Sequence, residues 1–275
     1  SMDQAGPFSK DAFGCAALLD AMASYDEKDS TCTKRKDINF EKSLSKDFGS
    51  LNIGVIKNIE KLGINEDVIN AYETSKTVLT GLGHKLIEVD FSELSSGICS
   101  YYVIAPAECS SNLSRFDGVK YGYRSEGEKD IANLYMNSRS DGFGDEVKKR
   151  ILIGTHVLSA GFYDAYYLQA QKVRRMIKVK FEGFFKDVDL IFMPTTLDQA
   201  FEKNRKSDDP NRMYKEDLLT IPANLAGLPA ISFPNGFKNN LPIGGQLIGK
   251  YFGEDLLLNT THKIQEVTDW HKMTP

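Results

Sequence analysis

Three polar residues stand where an apolar stretch begins or runs, and each has a chemistry worth weighing. Arg150 in "DEVKKRILIG" sits where the apolar half of a helix starts. An arginine there either snorkels to solvent over its own stem or holds a carboxylate in its planar, two-pronged guanidinium. Asp217 in "KEDLLT" opens an apolar run. It either complements a helix amino terminus or binds an ammonium group. Tyr101 in "SYYVIAPAE" is either plain core or a directional hydrogen-bonding hydroxyl facing a cavity.

A fourth feature is the stretch "SNLSRFDGVKYGYR" (111–124). It interleaves Arg115, Asp117, Lys120 and Arg124 with Phe116, Tyr121 and Tyr123. Aromatic and basic residues alternate this way in single-stranded nucleic-acid sites. Asp117 inside the stretch and a formal net charge of −4 for the chain argue against that use. The preferred reading is a loop whose charges satisfy one another beside a pocket.

Other chemistries find no support. Gly81-x-Gly83 lacks the third glycine of a dinucleotide loop and reads as a helix end. No phosphate-cradling P-loop and no G-x-S-x-G nucleophile elbow occurs. Four cysteines and four histidines are dispersed without metal-ligand spacing. No apolar run is long enough for a membrane helix, and "SMDQAGPFSK" is no signal peptide.

The elements that must position these residues follow from periodicity. Ser9 is expected to cap a helix beginning near Lys10, followed by a polar surface excursion over 25–48. "LNIGVI" (51–56) and "KLIEVD" (85–90) read as strands around a helix capped by Asn65, which suggests a βαβ unit. The middle is helical, with a break expected near Ser159-Ala160-Gly161 in the segment 145–185. "DLIFMP" (189–194), "AISFP" (230–234) and "GGQLIG" read as strands, with a polar loop over 195–212. "KEDLLTIPANLAG" is expected to be helical up to Pro222, and a last amphipathic helix covers "EDLLLNTTHKIQEV". The rigid segment around Pro222, Gly227, Pro229 and Pro234 is either packing or a pocket wall, since ligands gather at the carboxyl ends of strands. No internal repeat or linker appears, so one α/β domain is the simplest organisation.

Several blocks in order carry a resemblance: "YYVIAPAECSSNLSRFDGVKYGYR", "SRSDGFGDEVKKRILIGTHVLSAGFYDAYYLQAQKVR", "YKEDLLTIPANLAGLPAISFP" and "LPIGGQLIGK". Together they resemble the amidase signature family, and within it the A subunits of tRNA-dependent amidotransferases. The opening "DQAGPFSKDAFGCAALLDAMASYDEKDST" is similar to the segment that follows the family's catalytic core. The likeness weakens only over 33–50 and 195–212.

The resemblance implies an α/β fold with an amidase-signature-like mixed β-sheet core flanked by helices. Residues 1–275 would form a single domain whose amino-terminal part is absent, leaving an exposed sheet edge. It implies a glutaminase in which a serine, activated through a second serine by a lysine, attacks the glutamine side-chain amide. The ammonia would pass to a B subunit that uses ATP and Mg to turn Glu-tRNA(Gln) into Gln-tRNA(Gln), with a small C subunit in the same complex. This chain itself would need no cofactor, meet tRNA only through the B subunit, and contact no membrane. It would work in the cytoplasm, or alternatively in a mitochondrial or plastid matrix.

Carried over by position, Arg150 would take the α-carboxylate of glutamine, Asp217 the α-ammonium, and Tyr101 a further hydrogen bond. The sequence departs from the family in two small places, Gly245 where a larger apolar residue is usual and "PTTLDQAF" without its common proline. The larger departure is that no "GGSSGGS"-like run occurs. The Ser-Ser-Lys triad is therefore expected upstream of Ser1, and this chain alone is expected to be inactive. The alternatives are another amidase-signature hydrolase, or a non-catalytic binding or scaffold fragment.

Overall fold

The runs "NIGVI" and "LIFMP" lack the polar alternation of a half-wet strand, and both lie inside a sheet where each face is covered. The computed structural model describes residues 1–35, 39–127, 129–203 and 216–275. In chain order the elements are α1 (Ala12–Met22), α2 (Phe40–Ser43), β1 (Asn52–Ile56), α3 (Glu66–Gly81), β2 (Lys85–Val89), α4 (Gly97–Leu113), α5 (Ile131–Gly142) and α6 (Asp145–Leu158). They continue with α7 (Leu168–Phe184), β3 (Leu190–Pro194), α8 (Ile221–Ala226), β4 (Ala230–Lys238), β5 (Leu241–Gly249) and α9 (Glu254–Val267). Internal contacts divide them into two compact units: Ser1–Met2 with Ser96–Met176, and Asp3–Ser95 with Ile177–Pro275.

Among the described residues the second unit holds a five-stranded mixed sheet of order β2-β1-β3-β5-β4. β1 runs parallel to β2 and to β3, whereas β5 is antiparallel to both β3 and β4. The expected βαβ unit is thus present, with α3 joining two neighbouring parallel strands. Asn65 caps α3 by accepting from the Asp67 amide at 2.9 Å, and the turn at Gly83 ends it with φ +89°. Tyr72 on α3 stacks on Phe192 of β3, which stacks in turn on Phe233 of β4. The Tyr72 hydroxyl is not orphaned by this burial, because it accepts the Ile56 amide at 2.9 Å.

Three sequence readings need correction. The cap of α1 is Asp11, whose carboxylate accepts the Gly14 amide at 2.7 Å. The Ser9 hydroxyl lies over Gly14 instead, where a Cβ would come within 2.0 Å of it. The 25–48 segment is only partly a surface excursion, and its residues 36–38 lie outside the described residues. Asn39 caps the short α2 by accepting the Lys42 amide, Asp20 accepts the Phe40 and Glu41 amides, and Phe40 and Leu44 join a core with Ala16 and Leu258. Asn259 of α9 then donates to the carbonyls of Ser43, Leu44 and Lys46. Finally, the segment expected to be helical up to Pro222 is helical at Glu216 but turns over 217–220, and a new helix starts at Ile221 with Pro222 in its first turn, where no intrahelical N–H is needed. Residues 204–215, which include half of the polar loop expected over 195–212, lie outside the described residues.

The first unit is helical. α4 packs on α6, and Ser100 of α4 donates to the Ala170 carbonyl of α7 at 2.8 Å. The expected break between 145 and 185 is real: α6 stops at Leu158, and a π-helical turn over Tyr163–Tyr167 leads into α7. Helix α5, which the sequence left undivided, is capped by Asp130 accepting the Asn133 amide.

Candidate functional site

The position of Tyr101 relative to Arg150 is set by how closely α4 and α6 approach. A Cβ on Gly154 would lie 1.9 Å from the Pro106 carbonyl oxygen, so only glycine fits this crossing. Close by, the Ser110 and Thr155 hydroxyls hydrogen-bond at 2.9 Å. Arg150 lies four residues before Gly154 on α6, and Tyr101 five residues before Pro106 on α4.

That packing brings the Arg150 guanidinium and the Tyr101 hydroxyl into hydrogen-bond contact. Arg150 also donates from Nε to Glu146 Oε1 at 3.1 Å. Partial burial pushes its pKa down, but the bonds to Tyr101 and Glu146 outweigh this and hold it above the ordinary arginine range. The side chain is 35% exposed. It is neither a fully solvated snorkel nor a buried charge; it is a fixed cation at the surface of the first unit. Tyr101 is half-buried and meets Tyr102 edge to face, with ring centroids 5.1 Å apart.

Asp217 belongs to the second unit, in the turn that precedes α8. Its carbonyl accepts the Thr220 and Ile221 amides, which starts the helix. The residues of α8 other than Asn224 are buried, and Gln246 of β5 fastens the segment by donating to the Pro194 and Leu219 carbonyls. The Pro222–Gly227 segment is therefore packing in the second unit, with Gly227 in the left-handed conformation that closes α8.

Residues 111–113 of the 111–124 stretch end α4, and the loop that follows is held by its own backbone more than by charge pairing. Asp117 accepts the Val119 and Lys120 amides, which pull its carboxyl below the usual range. Arg124 donates to the Gly118 carbonyl, and Arg139 of α5 to the carbonyls of Leu113 and Phe116. An open hollow of about 590 Å³ follows the loop, lined by Arg124, Ser125, Lys129, Asp130 and Leu134 among others. Neither Tyr101 nor Arg150 lines it.

Sequence reasoning missed Glu146 and Gly154. The signal for Glu146 was present as a Glu-x-x-x-Arg spacing on one helix face. Nothing in a single sequence marks Gly154 as a crossing point, since its partner is a carbonyl 48 residues away (154 − 106). Among the described residues no cluster of His, Cys, Asp or Glu is arranged to hold a metal ion, and no helix is long and apolar enough to cross a membrane.

Comparison with known proteins agrees with this architecture. The amidase family matches residues 1–258. The chain is 50% identical over its whole length to the A subunit of glutamyl-tRNA(Gln) amidotransferase from Coxiella burnetii, of which it covers 57%. It is 49% identical to the corresponding protein of Methylococcus capsulatus, again over 57% of the relative. The crystal structure of the Thermotoga maritima glutamyl-tRNA(Gln) amidotransferase A subunit superimposes with a TM-score of 0.77 at 35% identity, covering 100% of this chain and 56% of that one. A 6-aminohexanoate cyclic dimer hydrolase shares the fold at 20% identity and a TM-score of 0.73, over 96% of this chain and 55% of that one. The chain thus spans little more than half the length of the relatives it matches.

Proposed function

The chain belongs to the amidase family, and from that premise we propose that it is the substrate-recognition part of the A subunit of a glutamine-hydrolysing amidotransferase. Both compact units are read as parts of one amidase domain, because the family match runs through both. The observation that carries the reading is the Arg150 guanidinium fixed by Tyr101 and Glu146. Free glutamine presents a carboxylate, an ammonium and a neutral amide. A guanidinium with its geometry already set loses little entropy when it pairs with that carboxylate. Arg150 takes the α-carboxylate, and Tyr101 adds a hydrogen bond near the substrate.

Hydrolysis itself needs a nucleophile, and these 275 residues contain no serine-glycine signature to supply one. In the intact assembly the released ammonia goes to a B subunit, which uses ATP and Mg to amidate Glu-tRNA(Gln). A small C subunit completes the complex, which works in the cytoplasm or an organelle matrix.

The test is calorimetric titration of the chain with L-glutamine and with 4-aminobutanamide, which is glutamine without its α-carboxylate. Tighter binding of glutamine, with the preference lost in Arg150→Met, supports the reading. Equal binding of the two ligands by the unsubstituted chain rejects it.

A further inference from the structure

The geometry points to Glu146 as a positioning residue that presents one edge of the Arg150 guanidinium for carboxylate binding. The inference rests on the reading that Arg150 receives the glutamine carboxylate. A guanidinium carries five N–H groups and offers more than one pair for a two-pronged bond. Glu146 Oε1 takes the Nε–H at 3.1 Å. That removes the Nε side from competition and leaves the Nη1/Nη2 end as the carboxylate fork. The Tyr101 hydroxyl of α4 is a second partner of the same guanidinium.

Glu146 is itself steadied. It occupies the first turn of α6, and Lys149 Nζ lies 4.0 Å from its Oε2. Glu146 precedes Arg150 by four residues, the favourable order for an acid and a base paired on a helix. At 61% exposure of the Glu146 side chain the ion pair contributes little stability, so a carboxylate retained only for folding would be nearly dispensable. A positioning role makes a different claim: removing the carboxylate frees the guanidinium, and the ligand must then order it.

The experiment compares Glu146→Ala, Glu146→Asp and Glu146→Gln in the complete 275-residue chain, with L-glutamine and 4-aminobutanamide as probes. Circular dichroism melts establish that each variant is folded. Glu146→Ala should bind glutamine about two- to ten-fold more weakly, the cost of ordering one long side chain. Its affinity for 4-aminobutanamide should not change. Glu146→Asp keeps the charge at the helix start but withdraws the acceptor by one methylene, so it should fail like alanine. Glu146→Gln keeps an oxygen within reach and should restore binding.

A second readout does not depend on ligand: the Arg150 Nε–H resonance, identified by its loss in Arg150→Met, should shift and exchange faster in Glu146→Ala. If Arg150→Met loses glutamine while Glu146→Ala keeps native affinity and an unmoved Nε–H, the positioning role is wrong and the carboxylate reading stands. If Arg150→Met binds glutamine like the native chain, the carboxylate reading falls. Failure of the native chain to bind glutamine overturns both.

Discussion

The Gly154 backbone packs so tightly on the Pro106 carbonyl that a single added methyl group would lie 1.9 Å from the oxygen. This crossing is what places Arg150 of α6 against Tyr101 of α4. Gly154→Ala must push the helices apart or shift their register. It should destabilise the chain by about 1–3 kcal/mol, as overpacking typically does. It should also weaken glutamine binding, although it touches no ligand. Urea denaturation and calorimetry check both; unchanged values in either would show that the crossing does not set the pair.

Tyr101→Phe removes one hydroxyl and little volume. A hydrogen bond to a charged group is worth about 1.5–3 kcal/mol at most, and partial solvent access reduces that. Glutamine affinity should fall several-fold while the melting temperature stays nearly constant. A loss of stability without a loss of affinity would make Tyr101 a packing residue only.

The site was only partly legible in the sequence. Arg150 and Asp217 drew notice because a charge at the edge of an apolar run needs a reason, and the resemblance then gave each a role. The strands at 51–56 and 189–194 and the helix over 254–267 were legible because their apolar patterns match burial on a sheet or one helix face. Contacts between distant segments were not. The Phe40 amide at the start of α2 is taken by Asp20, 20 residues earlier, and the α4–α6 crossing depends on a backbone carbonyl. Local propensity carries no information on such partners.

His84 gives a pH-dependent test of the sheet's edge. Its Nδ1 accepts the Leu51 amide at 3.2 Å where β1 begins, and burial lowers its pKa. The folded value lies below the unfolded value of about 6.5, so the unfolded chain binds the proton more readily. The contribution is complete above that value and is lost as pH falls through the lower, folded one. Denaturation midpoints measured between about pH 7.5 and about pH 5 should therefore fall more steeply for the native chain than for His84→Gln. Parallel curves would contradict this.

Gly245 tests a local compensation. A Cβ there would lie 3.1 Å from the Asn235 side chain and from Phe192, and Asn235 is only 1% exposed. Gly245→Leu should cost about 1–3 kcal/mol by overpacking. Adding Asn235→Ala should recover part of the loss, because it vacates the same space. Strict additivity of the two substitutions in urea denaturation would show that the positions are independent.

The central claim is that this chain holds glutamine and does not hydrolyse it. One spectrum addresses both halves: the chain mixed with glutamine labelled with nitrogen-15 at its side-chain amide. The account predicts that the amide resonance shifts and broadens saturably as the chain is added, with no nitrogen-15 ammonium signal growing in over hours. An ammonium signal above that of a heat-inactivated control, or an amide resonance untouched at saturating chain, would contradict it.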